Sequence, residues 1–105
     1  MNSPAELPKV RQAVHRITEH VIAVRRDLHQ YPELSWKEER TQGVILEELS
    51  QLDLEDVRPI AKTGATALVR GRREGPCVLW RADIDALPVP EKTDLPFASR
   101  TEGVM

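Results

Sequence analysis

Cys77-Val78-Leu79-Trp80-Arg81-Ala82-Asp83-Ile84-Asp85-Ala86-Leu87-Pro88 is the stretch on which the fold turns. The run Cys-Val-Leu-Trp is apolar on both faces, which predicts a strand over 77–84 of the kind buried inside a sheet. Pro88 and Pro90 end it. Side chains alternate faces along an extended chain, so Val78, Trp80, Ala82 and Ile84 share one side, and Leu79, Arg81, Asp83 and Asp85 the other. An apolar strand thus finishes by presenting one guanidinium and two carboxylates on a single face, successive groups roughly 6–7 Å apart.

The carboxyl end of a buried strand lies at the rim where α/β proteins bind ligands. Charge is costly there unless it is paired or bound to metal. Two carboxylates so close repel, and Arg81, a histidine from elsewhere or a cation would relieve them. Two readings stay open on spacing alone. Asp83 and Asp85 bind or orient a ligand, or Arg81 and an aspartate form a plain ion pair with Asp85 capping the turn before Leu87-Pro88.

Working back toward the N-terminus, 71–76 is a polar, hairpin-like connection and 65–70 a strand. Lys62-Thr63-Gly64 is a turn, and 57–60 is a short strand candidate weakened by Pro59. Before residue 53 the period changes from 2 to 3.6. The spacing of Thr41, Ile45, Leu49 and Leu52 predicts a helix over 36–52, with Ser35 as N-cap and Glu38 completing a capping box. Gly43 weakens that helix by about 1 kcal/mol relative to Ala, and a glycine tolerated there suggests close packing. Val10, Val14, Ile17, Val21, Val24 and Leu28 form one stripe of an amphipathic helix over 9–30, stopped by Pro32. Residues 1–8 read as a flexible leader in which Pro8 fits a first helical turn, and 91–105 as an irregular loop. The order helix, helix, strand, strand, strand, loop is that of an α/β fold. It reads as two N-terminal helices followed by strands of a central mixed sheet, the opening of a domain over 9–105 and not a complete one.

Composition narrows the class of function. Fifteen basic against seventeen acidic residues leave a net charge of -2, which gives no case for a nucleic-acid partner. The cluster Arg70, Arg72 and Arg73, interrupted by Glu74, reads as a solvated turn. Cys77 is the single cysteine, so there is no disulfide framework and no paired-cysteine zinc site; in an apolar run it reads as a small buried hydrophobe. No run of about 18 apolar residues is present, so no membrane span is expected, and a cytoplasmic location is the default. His15 and His20, five apart, do not share a helical face as metal ligands would, and both read as solvent-facing. His29 reads either as a site residue or as a histidine favoured by the helix dipole at a C-terminus. Trp36 and Trp80 read as core.

Five stretches, in order, resemble one family. Asp27-Leu28-His29-Gln30-Tyr31-Pro32-Glu33-Leu34-Ser35 resembles its D-L-H-x-x-P-E-L-S, and Glu38-Glu39-Arg40-Thr41 its E-x-x-T. Lys62-Thr63-Gly64 resembles the turn before its second strand, and residues 81–88 its R-A-D-[MI]-D-A-L-P. Leu95-Pro96-Phe97-Ala98-Ser99 with Gly103-Val104-Met105 resembles the approach to its metal site. The family is that of the metal-dependent amidohydrolases that include hippurate hydrolase, N-acyl-amino-acid amidohydrolases and plant auxin-conjugate hydrolases. The resemblance covers about residues 22–105.

That resemblance implies the start of a zinc-exopeptidase-like catalytic domain. It implies hydrolysis of the amide of an N-acyl amino acid, with two divalent metals (zinc, manganese or cobalt) activating a water and polarising the carbonyl, and a glutamate as general base. In the family the next residues would be His-Ala-Cys-Gly-His-Asp, the first metal ligands. No metal ligand is therefore expected within this chain, and the fragment alone is expected to be inactive. In the wider superfamily a strand-end H-x-D supplies a ligand histidine and an aspartate that orients it. Asp83 stands in the histidine's place and Asp85 in the aspartate's, so Asp85, and less directly Asp83, is expected to orient a ligand or catalytic group. The partner is expected to be a small-molecule substrate, with neither nucleic acid nor membrane, and a homodimer stays open for the full-length form. The rival reading is a non-catalytic small α/β domain that uses its N-terminal amphipathic helix for protein interaction.

Overall fold

A computed structural model describes residues 6–105. The leader expected over 1–8 lies mostly outside those residues, and its last two positions are already helical. Helix α1 runs Leu7–Gln30, with Glu6 at its N-cap and Pro8 in its first turn. Proline suits that turn because its missing N–H would have had no partner there. The helix ends at Tyr31, whose N–H still reaches the carbonyl of Asp27 at 3.2 Å. Pro32 then forbids a further turn.

Helix α2 runs Glu39–Ser50, shorter than expected and capped differently. Ser35 does not cap it; Glu38 occupies the N-cap position, and no side chain of that residue bonds the helix start. The reason is geometric. Lys37 N–H closes a turn onto the carbonyl of Leu34 at 2.9 Å, and Trp36 sits at φ 66°, so Ser35 and Trp36 belong to that turn. The helix amides are taken by Glu33 instead, whose carboxylate receives the N–H of Arg40 at 3.0 Å and that of Thr41 at 2.6 Å. Gly43 faces open space, so it marks no close approach.

Two strands follow, β1 at Glu55–Ile60 and β2 at Gly64–Leu68, paired antiparallel with Arg58 opposite Thr66 and Ile60 opposite Gly64. Pro59 is tolerated because in a two-stranded sheet every strand is an edge. A register shift lies between Glu55 and Arg58, where Asp56 takes φ 50°. The turn is made by Ala61 and Lys62 at φ 48° and 71°, one residue ahead of the expected position. Gly64 beside it allows a close approach, since a Cβ there would stand 3.1 Å from the carbonyl oxygen of Ile60. Gln42 of α2 donates to the carbonyls of Lys62 (3.1 Å) and Gly64 (2.7 Å), which seats the hairpin on that helix.

The third expected strand does not form. Residues 69–85 carry no regular structure, and the 71–76 connection joins no hairpin. Extended backbone becomes a strand only by bonding a neighbour, and within this structure β1 and β2 pair with each other alone. Val78, Leu79 and Trp80 are consequently 83%, 90% and 89% exposed, and Cys77 and Trp36 are exposed as well, against the expectation of core positions. No hydrophobic residue among the described residues is buried; the buried residues are the polar Glu38, Thr41 and Thr63. The α1 stripe at Val10, Val14, Ile17 and Val21 likewise faces outward.

Candidate functional site

What positions Asp83 and Asp85 is a junction and not a sheet. The N–H of Ala86 donates to the carbonyl of Glu33 at 2.8 Å, and Leu34 and Ala86 form an isolated parallel bridge. One residue on, Leu87 and Met105 exchange two backbone hydrogen bonds at 2.9 and 3.0 Å. This closes the excursion 88–104 into a compact loop whose neck lies beside Asp85.

That loop is fastened to the end of α1. His29 Nε2 pairs with the Glu91 carboxylate, whose side chain is only 5% exposed. Gln30 Nε2 donates to the carbonyl of Pro96 at 3.2 Å, and Arg100 N–H to that of Gln30 at 2.9 Å. Phe97 meets His29 edge-on with ring centroids 6.0 Å apart, and Arg26 lies over the Phe97 ring at 4.6 Å. His29 is therefore a helix C-terminal histidine, as one reading had it, and also the clip that holds a loop. His20 remains exposed while bonding Glu48 at 2.7 Å.

These joints leave an open groove lined by Arg25, His29, Glu33, Thr41, Asp83 and Asp85, with Leu28, Ile84 and Met105 among its apolar walls. Both aspartates are exposed. Asp83 is paired, accepting from Arg81 Nη2 at 2.6 Å. Asp85 makes no hydrogen bond or ion pair among the described residues. Asp83, Ile84 and Asp85 all border the groove.

Electrostatics in the groove centre on Glu33. Partial burial pushes its carboxyl up, but the Thr41 hydroxyl at 2.6 Å, the two helix amides and the charge of Arg40 outweigh that and hold it below the ordinary 4.5. At the loop, Glu91 is also held below 4.5, chiefly by the Thr93 hydroxyl and further by His29 and the Ser99 N–H, against the effect of desolvation. Both groups are thus anions fully used by donors.

A divalent ion needs several free oxygen or nitrogen donors converging on one point. Among the described residues no three His, Cys, Asp or Glu side chains converge in that way. Both Glu33 oxygens are occupied, His29 Nε2 is taken by Glu91, and Asp83 by Arg81. The described residues by themselves do not make a metal site, and of the groove's three acidic side chains, Glu33, Asp83 and Asp85, only Asp85 has no partner among them. Glu33, Thr41 and Glu91 were not singled out from the sequence. Glu33 and Thr41 did sit in two of the recognised stretches, eight residues apart, while nothing local marks Glu91.

No family model matches the chain. Individual proteins do. It is 51% identical over 81% of its length to an N-acetylcysteine deacetylase of Bacillus subtilis, of which it covers 23%. It is 48% identical over 80% of its length to an N-acetyldiaminopimelate deacetylase of Listeria innocua, again covering 23% of that protein. Its fold superimposes with a TM-score of 0.79 and 43% identity on the crystal structure of a dinuclear metal-binding peptidase of the M20 family from Bacillus subtilis, over 87% of this chain and 26% of that one. In sequence and in fold alike, the chain is homologous to amide-bond deacetylases and M20-family metal peptidases, and it spans about a quarter of their length.

Proposed function

We propose that this chain is the N-terminal part of the catalytic domain, 9–105, of a metal-dependent amidohydrolase that cleaves the amide of N-acyl amino acids. The observation that carries the reading is the junction at Ala86. It holds the Asp83–Asp85 rim against the Glu33 turn in a chain homologous to N-acyl deacetylases. In this reading the whole protein uses divalent ions, zinc, manganese or cobalt, whose direct ligands are not among residues 6–105. Asp85, with no partner here, orients one of those ligands or a catalytic group, and Asp83 is held off by Arg81. The 105 residues alone are inactive, the substrate is a small acyl-amino acid of the hippurate type, and the compartment is cytoplasmic.

The test is a chimera in which these residues replace the matching quarter of the Bacillus subtilis N-acetylcysteine deacetylase. Hydrolysis of an acetyl- or benzoyl-amino acid by the chimera, absent from the isolated chain, supports the reading. A folded, metal-loaded chimera without turnover rejects it. The outward α1 stripe favours a second reading, a non-catalytic domain that pairs through this helix. That reading requires a partner that binds the isolated 105-residue protein and that a charge at Ile17 displaces.

A further inference from the structure

We infer that Glu33 is a positioning residue, which fixes the segment carrying Asp83 and Asp85 to the start of α2 through one side chain and one carbonyl. An ordinary capping residue sits next to the helix it caps and bonds an amide two or three residues on. Glu33 stands seven and eight residues ahead of the amides it accepts, those of Arg40 and Thr41. Its carboxylate therefore spans the whole connection from Pro32 to Glu38. Its main chain is engaged elsewhere, accepting Ala86 N–H at 2.8 Å while Leu34 bridges Ala86. The two engagements share one backbone, so the position of the rim depends on the carboxylate staying bound. Thr41 is 3% exposed and gives both its N–H and its hydroxyl to one oxygen, at 2.6 Å each. The donor residue is thus buried, so water is poorly placed to replace both bonds.

The functional meaning of this inference rests on the proposed orienting role of Asp85; its structural content does not. Glutamine cannot substitute, because one carboxylate oxygen accepts from Arg40 and the other from Thr41. An amide would turn an NH2 group toward one of those donors.

The test is NMR on the isotope-labelled 105-residue chain. In Glu33→Gln the Ala86 amide should exchange at least about tenfold faster and the Asp85 carboxyl-carbon resonance should move, while the Arg58 and Thr66 amides of the hairpin hold. Thr41→Val should show a smaller version of both changes, and Thr41→Ser, which keeps the hydroxyl, neither. A role confined to capping α2 would disturb the Arg40 and Thr41 amides and leave Ala86 and Asp85 unmoved, and that result overturns the inference. If Glu33→Gln also loses the hairpin signals, the Ala86 and Asp85 signals of Thr41→Val decide in the same way. Unmoved signals beside an active chimera refute the positioning role alone, and moved signals beside an inactive chimera refute the hydrolase reading alone.

Discussion

The carboxylate of Glu33 and the backbone N–H of Thr41 meet at 2.6 Å across a connection that neither helix contains. A bond between an ionised acceptor and a half-buried helix start is stronger than a neutral one and expensive to leave unmade. Glu33→Ala should therefore destabilise the chain by about 1–3 kcal/mol, read from urea denaturation followed by far-UV circular dichroism. A loss below about 0.3 kcal/mol would mean that water replaces the carboxylate.

Acid should act through the same group. The Glu33 pKa is lowered in the folded state, so its contribution is present above the unfolded value of about 4.5 and is lost as pH falls through the folded value. Glu91 behaves with the same sign. Stability should be flat from pH 7 to about 5 and fall below about 4.5. In Glu33→Gln the fall should be shallower. Parallel curves for the two proteins, from thermal melts across that range, would contradict the assignment.

Arg40 ties two side chains together. Its Nη2 bonds both carboxylate oxygens of Asp27 at 2.8 and 2.9 Å, and its guanidinium lies 4.4 Å from the centre of the Tyr31 ring. Both members of the ion pair are 40% exposed, so the pair is worth little alone, and stacking supplies much of the effect. Arg40→Ala should cost about 1 kcal/mol, and Arg40→Lys part of that, since an ammonium can still meet both oxygens from one nitrogen but cannot stack flat on the ring. Denaturation midpoints at low and high salt, compared with those of Tyr31→Leu, separate the contributions, because salt screens the exposed pair and the substitution removes the ring.

Lys62 holds φ 71° without being glycine. A side chain in that region costs about 1 kcal/mol, part of which Lys62→Gly recovers before the extra freedom of the unfolded chain is counted. The expected result is a gain of about 0–1 kcal/mol in stability. A loss above about 1 kcal/mol would show that the Lys62 side chain makes contacts that matter.

Exposure at 77–80 is directly measurable. Cys77 should react with a disulfide reagent in native buffer nearly as fast as a free thiol, and the exposed tryptophans, Trp36 and Trp80, should emit at the red-shifted wavelength of solvated indole. The isolated chain should also self-associate with rising concentration, through the unpaired edge and the α1 stripe. In the chimera, where about three quarters of a relative surrounds the segment, all three signals should be suppressed. An Asp85→Asn chimera should then lose roughly 10–100-fold in turnover.

The helices were legible in the residues because helical order is local. A stripe at Val10, Val14, Ile17, Val21, Val24 and Leu28 fits one face of a helix whatever surrounds it, and Pro32 ends it by chemistry alone. The β1–β2 turn was legible for the same reason, to within one residue. The cap of α2 was not. Ser35 and Glu38 carry the right residue types at the right spacing, yet a carboxylate folded back from Glu33 takes the amides first, and only three-dimensional proximity decides that competition. The strand at 77–84 failed for a related reason. Its apolar pattern describes what the segment buries when neighbours exist, and a strand is made by a partner's hydrogen bonds, not by its own side chains. Sequence by itself therefore determined the kinship, the helices and the charge content of the Asp83–Asp85 rim. Tertiary structure alone decided that Arg81 occupies Asp83, that Ala86 is held by Glu33, and that Asp85 has no partner among the described residues.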